Sequence, residues 1–283
     1  MLRNEIQSKT GLTRKAIEYY EEKGIIKPQK SENGYKDYSE KDLELLMKVA
    51  LFRKLGVSVS EIGACLDADG NTLASILRKK QYQLDMDEKR QAILWRLIKG
   101  EEQERINEEM KLIEAQESIY EKLERAFPGY FGQMLFAAYQ PFLEEPLEKD
   151  GEEAYRKFVD YFDQLPAFEL SKAEQEYIEK CSSSFDMESL KKINKAKIDA
   201  VCNVDRWLKD NEEEISQYED FKESETYRNS LMKGIKDKLE RFMIDNHYYE
   251  TAIPLIRKFS KRYDRYYRTL LEANEKYAGQ NRV

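Results

Sequence analysis

The chain is poor in the residues that most often carry chemistry: its 283 residues include one histidine, three cysteines and six prolines. Cys65, Cys181 and Cys202 are odd in number and widely spread, with no CxxC or CxxH spacing. A disulfide framework and a structural zinc site are therefore not expected, and the cysteines read as reduced core residues of a cytoplasmic protein. The lone His247 has no serine or cysteine placed to partner it, and neither a GxSxG elbow nor a glycine-rich phosphate loop occurs. No enzyme, cofactor or metal is expected on these grounds. No apolar run approaches the roughly 18 residues of a membrane span. The N-terminus leads into a polar helix rather than an apolar signal core, so secretion is not expected either.

Charge is what the chain has in abundance. Charged residues make up 36% and hydrophobic residues 41%, which suits a soluble, helix-rich protein long enough for two domains. The formal net charge of −7 argues at first against a nucleic-acid partner. Residues 1–66, however, carry slightly more Lys and Arg than Asp and Glu, so nearly all the excess acid lies downstream. A locally basic face can meet phosphates while the acidic remainder discourages non-specific binding.

The stretch from Lys9 to Tyr38 reads KTGLTRKAIEYYEEKGIIKPQKSENGYKDY. A brief helix over 3–10 closes at Gly11, which accepts a positive φ, and Thr13 caps a second helix running to about Lys23. Leu12, Ala16, Ile17 and Tyr20 form its inward set. Gly24 stops it, Pro28 keeps the chain extended, and Asn33-Gly34 is a strong hairpin signal between strands 25–30 and 35–38. Alternation places Tyr35 and Asp37 on one face of the hairpin, Lys36 and Tyr38 on the other. Ser39 then caps a helix through Phe52, and Ser58 or Ser60 caps a further helix to Leu66, giving a second helix-turn-helix.

From Asn71 to Arg125 the residues are almost all helix formers, interrupted at Gly100. Leu73, Ile76, Leu77, Leu84, Leu94, Leu97 and Ile98, then Ile106, Met110, Ile113, Tyr120 and Leu123, make a narrow apolar seam near heptad spacing. Such a seam needs a partner helix, and an antiparallel helix from a second subunit is the economical one. Phe127-Pro128-Gly129 ends this region. Beyond it the pattern is all-helical, with helices expected over about 130–143, 152–163, 172–181, 187–211, 224–245 and 247–277. Pro254 is expected to kink the last of these or to lie in its first turns.

TGLTRKAIEYYEEKGIIKP, NGYKDYSEKDLELL and FRKLGVSVSEI, in this order and spacing, resemble the MerR family of bacterial transcriptional regulators over residues 3 to about 66. The resemblance implies a mainly α fold: an N-terminal winged helix-turn-helix, a long dimerisation helix in an antiparallel coiled coil, and an all-α C-terminal domain. The divisions expected are a DNA-binding domain over 1–70, a helical linker and dimerisation coiled coil over 71–126, and a candidate effector-binding domain over 127–283. The implied partners are double-stranded promoter DNA, a second copy of the chain, RNA polymerase indirectly and a small organic effector, in the cytoplasm. The resemblance implies that such a dimer binds an inverted repeat in its promoter and distorts it in response to the effector, with activation and repression both open. The rival readings are a ligand-independent repressor or architectural protein, and a coiled-coil interaction protein that has lost DNA binding.

A helix entering the major groove needs donors in its first turns, and Thr13, Arg14 and Lys15 stand there. Arg14 is the candidate for base edges, and Lys15 for a base or a phosphate. Tyr19 and Tyr20 offer hydroxyls to phosphates, although Tyr20 reads equally well as core, and Tyr38 reads better as packing. Tyr35 and Lys36 correspond to the family's Tyr-Arg backbone clamp, with Lys27, Lys30 and Asn33 nearby as donors or solvated charge. Family geometry adds Ser58, Ser60 and the N-terminus of their helix. Three departures stand out: Glu18 where the family usually has Arg, Lys36 where it has Arg, and Gln7 where it packs a small alanine. Glu18 either accepts from a cytosine N4 or is drawn aside by Arg14 or Lys15.

Of 33 aromatic residues, 25 lie beyond Arg125. Most read as core. The sharper alternative is an aromatic effector pocket among Tyr130, Phe131, Phe158, Tyr161, Phe162, Tyr248, Tyr249, Tyr263, Tyr266 and Tyr267, with Glu144, Glu145 or Asp163 supplying charge. The family's metal sensors use cysteines at the end of the dimer helix and in the following loop, and no cysteine here matches them.

Overall fold

A computed structural model describes residues 1–30, 34–66, 73–145, 147 and 150–280, which are mainly helical. They divide into two compact units, Met1–Ile76 and Leu77–Val283.

The first unit holds α1 (Arg3–Thr10), α2 (Arg14–Glu22), a hairpin of β1 (Gln29–Lys30) and β2 (Lys36–Asp37), α3 (Glu40–Lys54) and α4 (Val59–Leu66). Gly11 takes φ 71° and its N–H donates to the Gln7 carbonyl at 2.9 Å, which turns the chain between α1 and α2. Each following helix begins on a capping side chain. Thr13 accepts from the Ala16 N–H at 3.2 Å. Ser39 and Asp42 cap each other's backbone at 3.1 and 2.9 Å. Ser58 and Glu61 do the same at 3.2 and 2.8 Å, so Ser58 rather than Ser60 is the cap of α4. Ile6, Ile17, Tyr20, Ile26, Tyr38, Leu46, Val49, Val57 and Ile62 close one core beneath these elements.

The hairpin ladder is shorter than the expected strands, pairing Gln29 with Asp37 and Lys30 with Lys36. Pro28 has no N–H to extend it. Tyr38 instead pairs with Met1, donating its N–H to the Met1 carbonyl at 2.9 Å and accepting from the Met1 amino group at 2.8 Å.

The second unit comprises most of α5 (Leu73–Ile98), followed by α6 (Gln103–Ala126), α7 (Tyr130–Tyr139), a 3-10 turn (Gln140–Phe142), α8 (Glu152–Gln164), α9 (Lys172–Ser182) and α10 (Met187–Cys202). Then come α11 (Val204–Asp210), α12 (Glu212–Glu223), α13 (Glu225–Arg228), α14 (Leu231–Asp245), α15 (Tyr248–Phe259) and α16 (Lys261–Gln280). Gly100, at φ 81°, turns α5 back on α6 as an antiparallel hairpin. Arg90 grips Glu117 at 2.6 Å, Arg96 reaches Glu109 at 2.5 Å, and Tyr82 stacks on Tyr120 with ring centroids 4.0 Å apart.

The α6 half of the apolar seam is thus satisfied within the chain. Ile106, Ile113, Tyr120 and Leu123 are buried in the same core as Phe136, Phe158, Phe162 and Ile256. On α5 the seam behaves differently: Ile76 is buried, but Leu73, Leu77, Leu84, Leu94, Leu97 and Ile98 are exposed, as is Trp95 outside the seam. Residues at spacing four explain the packing of α8, where Ala154, Phe158 and Phe162 are buried, against α15, where Tyr248, Ala252 and Ile256 are. Full burial of each such Phe or Ile is worth about 1.5–3 kcal/mol.

Three expected helices are broken. The one over 224–245 divides into α13 and α14, where Ser230 recaps the chain by accepting from the Lys233 N–H at 3.2 Å. The one over 187–211 breaks at Asn203, whose φ −125° and ψ 41° leave the helical region. The one over 247–277 breaks at Ser260, which leaves the helix to donate its hydroxyl to the Phe142 carbonyl at 2.9 Å and to accept from the Tyr263 N–H at 3.2 Å. Pro254 lies inside α15. The stretch 212–223, for which no element is expected, is α12. Cys181 and Cys202 are exposed rather than core, both near helix C-termini, and Cys65 is half-buried.

A guanidinium is among the polar groups buried in this unit. Arg78 is 1% exposed. Its Nε donates to Gln133 at 2.5 Å and its Nη1 to the Phe185 and Ser182 carbonyls at 2.8 and 3.2 Å, while its guanidinium lies 5.4 Å from the Tyr130 ring centroid. A buried charge held this way is costly to strip of any partner.

Candidate nucleic-acid interface

The start of α2 presents three exposed side chains, Thr13, Arg14 and Lys15. Lys15 has no ion-pair partner among the described residues. Arg14 is engaged: its Nε donates to Glu18 at 2.9 Å, one turn along the helix. Arg3 of α1 donates to the same Glu18 oxygen at 2.8 Å. Glu18 is thus held by Arg14 and by Arg3, the latter a residue that sequence reasoning did not single out. The hydrogen bond from Arg14 and the charges of Arg14, Arg3 and Lys36 hold its carboxyl below the usual carboxylate range.

Glu21 is a second anchor that sequence reasoning missed. It pairs with Lys36 of the hairpin, accepts from the Tyr38 hydroxyl at 2.5 Å and lies 3.7 Å from Arg3. The Arg3 guanidinium also donates to the Tyr38 hydroxyl at 3.0 Å. One network of Arg3, Glu18, Glu21, Lys36 and Tyr38 therefore ties α1, α2 and the hairpin together. Its signal in the sequence was the i, i+3 pair of acids on a helix expected to face a polyanion.

Of the remaining candidates, Tyr35 is 70% exposed, Tyr19 is exposed with Lys23 over its ring at 5.6 Å, and Lys27 and Lys30 are exposed. Tyr20 and Tyr38 belong to the core, and burial raises both phenols above their ordinary value. The Ser58 and Ser60 hydroxyls lie 3.1 Å apart at the start of α4. Asn33 lies outside the described residues.

The aromatic candidates of the second unit are dispersed. Phe158, Phe162, Tyr248 and Tyr263 are buried in its core, where the Tyr139 and Tyr248 hydroxyls pair. Tyr161 donates to the Asn246 carbonyl at 3.0 Å, Phe131 packs edge-on to Tyr130 and Phe168, and Arg257 covers Tyr267 at 4.8 Å. Tyr249 is exposed. Asp163 is paired with Lys122 at 2.6 Å and Glu144 lies 3.5 Å from Arg262. Glu145 edges a small cleft beside Phe142 and Tyr155. Tyr266 stands apart, because it lines an apolar trough of about 560 Å³ with Trp207, Tyr218 and Tyr277, none of which the aromatic clustering pointed to. Among the described residues no group of three or more His, Cys, Asp or Glu side chains could hold a metal ion. Nor is any helix there long and apolar enough to cross a membrane.

Two helix-turn-helix pairs on a shared core, with a basic hairpin between them, define the first unit as a helix-turn-helix regulatory domain. The family model for the MerR HTH family regulatory protein matches residues 3–69. The HTH-type transcriptional regulator CueR of Yersinia pestis is 30% identical over 103 residues, 32% of this chain and 74% of that protein. CueR of Salmonella typhi is 44% identical over 61 residues, covering 21% of this chain and 44% of that protein. HmrR of Rhizobium leguminosarum bv. viciae is 42% identical over 57 residues, covering 20% and 44%. The chain thus spans less than half the length of the latter two relatives. No solved structure matches. The chain belongs to the MerR family.

Proposed function

We propose that the protein is a sequence-specific transcriptional regulator that binds, as a homodimer, an inverted repeat in a promoter and distorts it in response to an organic effector. The observation that carries this reading is the exposed opening turn of α2, where Thr13, Arg14 and Lys15 stand free of the core beside a hairpin bearing Tyr35 and Lys30. That arrangement suits base-edge contact from the helix and phosphate contact from the hairpin. Tyr19, Lys36, Ser58 and Ser60 serve as further backbone donors. Deformation of the duplex is an energy that the effector-bound dimer must favour over the resting one, because tight effector binding to both shapes shifts nothing.

Mobility shifts on the DNA upstream of its own gene test the reading. Binding is expected to weaken about a thousandfold or more between 50 and 200 mM salt, since each phosphate contact releases counterions. Lys15→Ala should weaken it, whereas Glu18→Gln, which releases Arg14 and Arg3 and removes a carboxylate, should strengthen it severalfold. A flat salt response, or indifference to both substitutions, would contradict the assignment.

The dimer rests on α5. Its exposed Leu77, Leu84 and Ile98 fall at multiples of seven residues, with Leu94 and Trp95 beside them, the pattern of a helix awaiting a partner helix. Leu84→Glu is expected to convert a sedimenting dimer to monomer. A wild-type monomer at micromolar concentration would dismiss this interface.

A further inference from the structure

We propose that the trough between α10, α11, α12 and α16 is the effector site, and that it takes a flat aromatic cation. This rests on the reading of the protein as an effector-responsive regulator, and adds where the effector binds and what chemistry it has.

At about 560 Å³ the trough has the size of a small-molecule pocket, and its lining is largely apolar. Four aromatic side chains line it: Trp207 of α11, Tyr218 of α12, and Tyr266 and Tyr277 of α16. Trp207 and Tyr218 are exposed, so their ring faces are open to a ligand. The rings Phe158, Phe162 and Tyr263, by contrast, are spent on the core.

The charge of a ligand follows from what surrounds the rings. Aromatic faces attract cations, and one already sits here: the Lys222 ammonium lies 5.1 Å from the Tyr218 ring centroid, paired with Glu219 at 2.7 Å. Of the acids on α11 and α12, Asp205 is paired with Lys276, Asp210 with Arg206 and Glu219 with Lys222, and Glu214 is the one that lines the trough. Glu214 lines the trough, is exposed and has no ion-pair partner among the described residues, so its carboxylate is available to a ligand. Lys197 of α10 is the one lining ammonium; it is exposed, and its flexible stem lets it turn to solvent. An aromatic cation therefore gains ring stacking, cation–π attraction and a carboxylate on one wall. An aromatic anion would gain the ring stacking without the cation–π attraction, and would meet the Glu214 carboxylate.

Three probes sharing a tricyclic frame separate these terms on the full chain without DNA: cationic 9-aminoacridine, neutral acridine and anionic anthracene-9-carboxylate, titrated calorimetrically at pH 7.5. The cation should saturate at one site per chain and bind at least about fivefold more tightly than acridine, with the anion weakest. Glu214→Gln, an exposed position whose replacement leaves the fold alone, should weaken 9-aminoacridine severalfold and leave acridine unchanged. Trp207→Ala should weaken both tenfold or more, with a far-UV spectrum matching wild type. Absence of saturable cation binding, equal or tighter binding of the anthracene carboxylate, or a cation affinity indifferent to Glu214→Gln would each overturn the proposal. Mobility shifts on the same preparation separate the two levels. DNA binding without cation binding removes this site alone, whereas a protein that binds no promoter DNA removes the reading beneath it.

Discussion

Gly132→Ala is expected to destabilise the Leu77–Val283 unit by about 3 kcal/mol, the upper end of the cost of overpacking. Gly132 is buried on α7 where that helix crosses α6, and its N–H donates to the Phe127 carbonyl at 2.9 Å. A Cβ there would collide with that same carbonyl and meet the Leu123 carbonyl oxygen at 2.8 Å and the Glu124 Cα at 3.0 Å. These are backbone atoms, which cannot swing aside as a side-chain end can. Relief requires α7 to lift from α6, and that would open the contacts of Phe136 with Tyr82 and Tyr120, whose centroids lie 4.9 and 5.0 Å away. Gly234→Ala in α14 is the matched control. Nothing lies within 4 Å of its Cβ position and the site is an exposed helix interior, so alanine should stabilise by about 0.5–1 kcal/mol. Urea denaturation of both variants reads the two signs. A neutral Gly132→Ala would mean that the α6–α7 crossing is looser than these distances.

Gly132 also shows where the sequence stops being informative. Local signals placed the helices of the first unit: Gly11, Thr13 and Ser39 each act through neighbours within a few residues, and turn and cap chemistry can be read at that range. The network around Glu18 and Glu21 was half legible. An acid one turn from Arg14 suggests an intrahelical pair, but the arrival of Arg3, Lys36 and Tyr38 depends on folding α1 and the hairpin against α2. In the second unit apolar spacing predicted helices but not their partners. A seam such as Ile106–Ile113–Tyr120 has the same pattern whether it meets a second subunit or, as found, α5, α7 and α8 of its own chain. The aromatic runs misled for a related reason. Phe158 and Phe162 are close in sequence because one helix face is buried, whereas Trp207, Tyr218, Tyr266 and Tyr277 come from three helices whose convergence no spacing records. Ser260 broke an expected helix through a tertiary bond to Phe142, which likewise leaves no trace in periodicity.

The stability of the second unit is expected to fall by about 3 kcal/mol as pH rises from 5 to 8, with Glu124 as the source. Burial raises its carboxyl to about 7, against the opposing pull of the Lys79 and Arg78 charges and of hydrogen bonds from Gln133 and the Gly129 N–H. One of its oxygens is buried with no hydrogen-bond partner among the described residues, as are the Tyr82 and Tyr120 hydroxyls. A carboxyl with a raised value holds its proton in the folded protein at pH values where the unfolded chain has already released it. Folding thus binds a proton between the ordinary carboxylate value and about 7. The stability associated with the neutral form is complete at low pH and is lost as pH rises through 7. Glu124→Gln keeps the shape and an acceptor oxygen but cannot ionise. Its stability relative to wild type should be nearly unchanged at pH 5 and higher by up to about 3 kcal/mol at pH 8, measured by urea denaturation at each pH. Taking the difference between the two proteins cancels titration elsewhere in the chain. The same ionisation bears on Arg78: a charged Glu124 favours the cation at that end of α5, while the neutral acid leaves it to Gln133 and the carbonyls of Ser182 and Phe185. A wild-type and variant difference that does not change with pH would show that Glu124 is ionised throughout, with the Arg78 and Lys79 charges outweighing its burial.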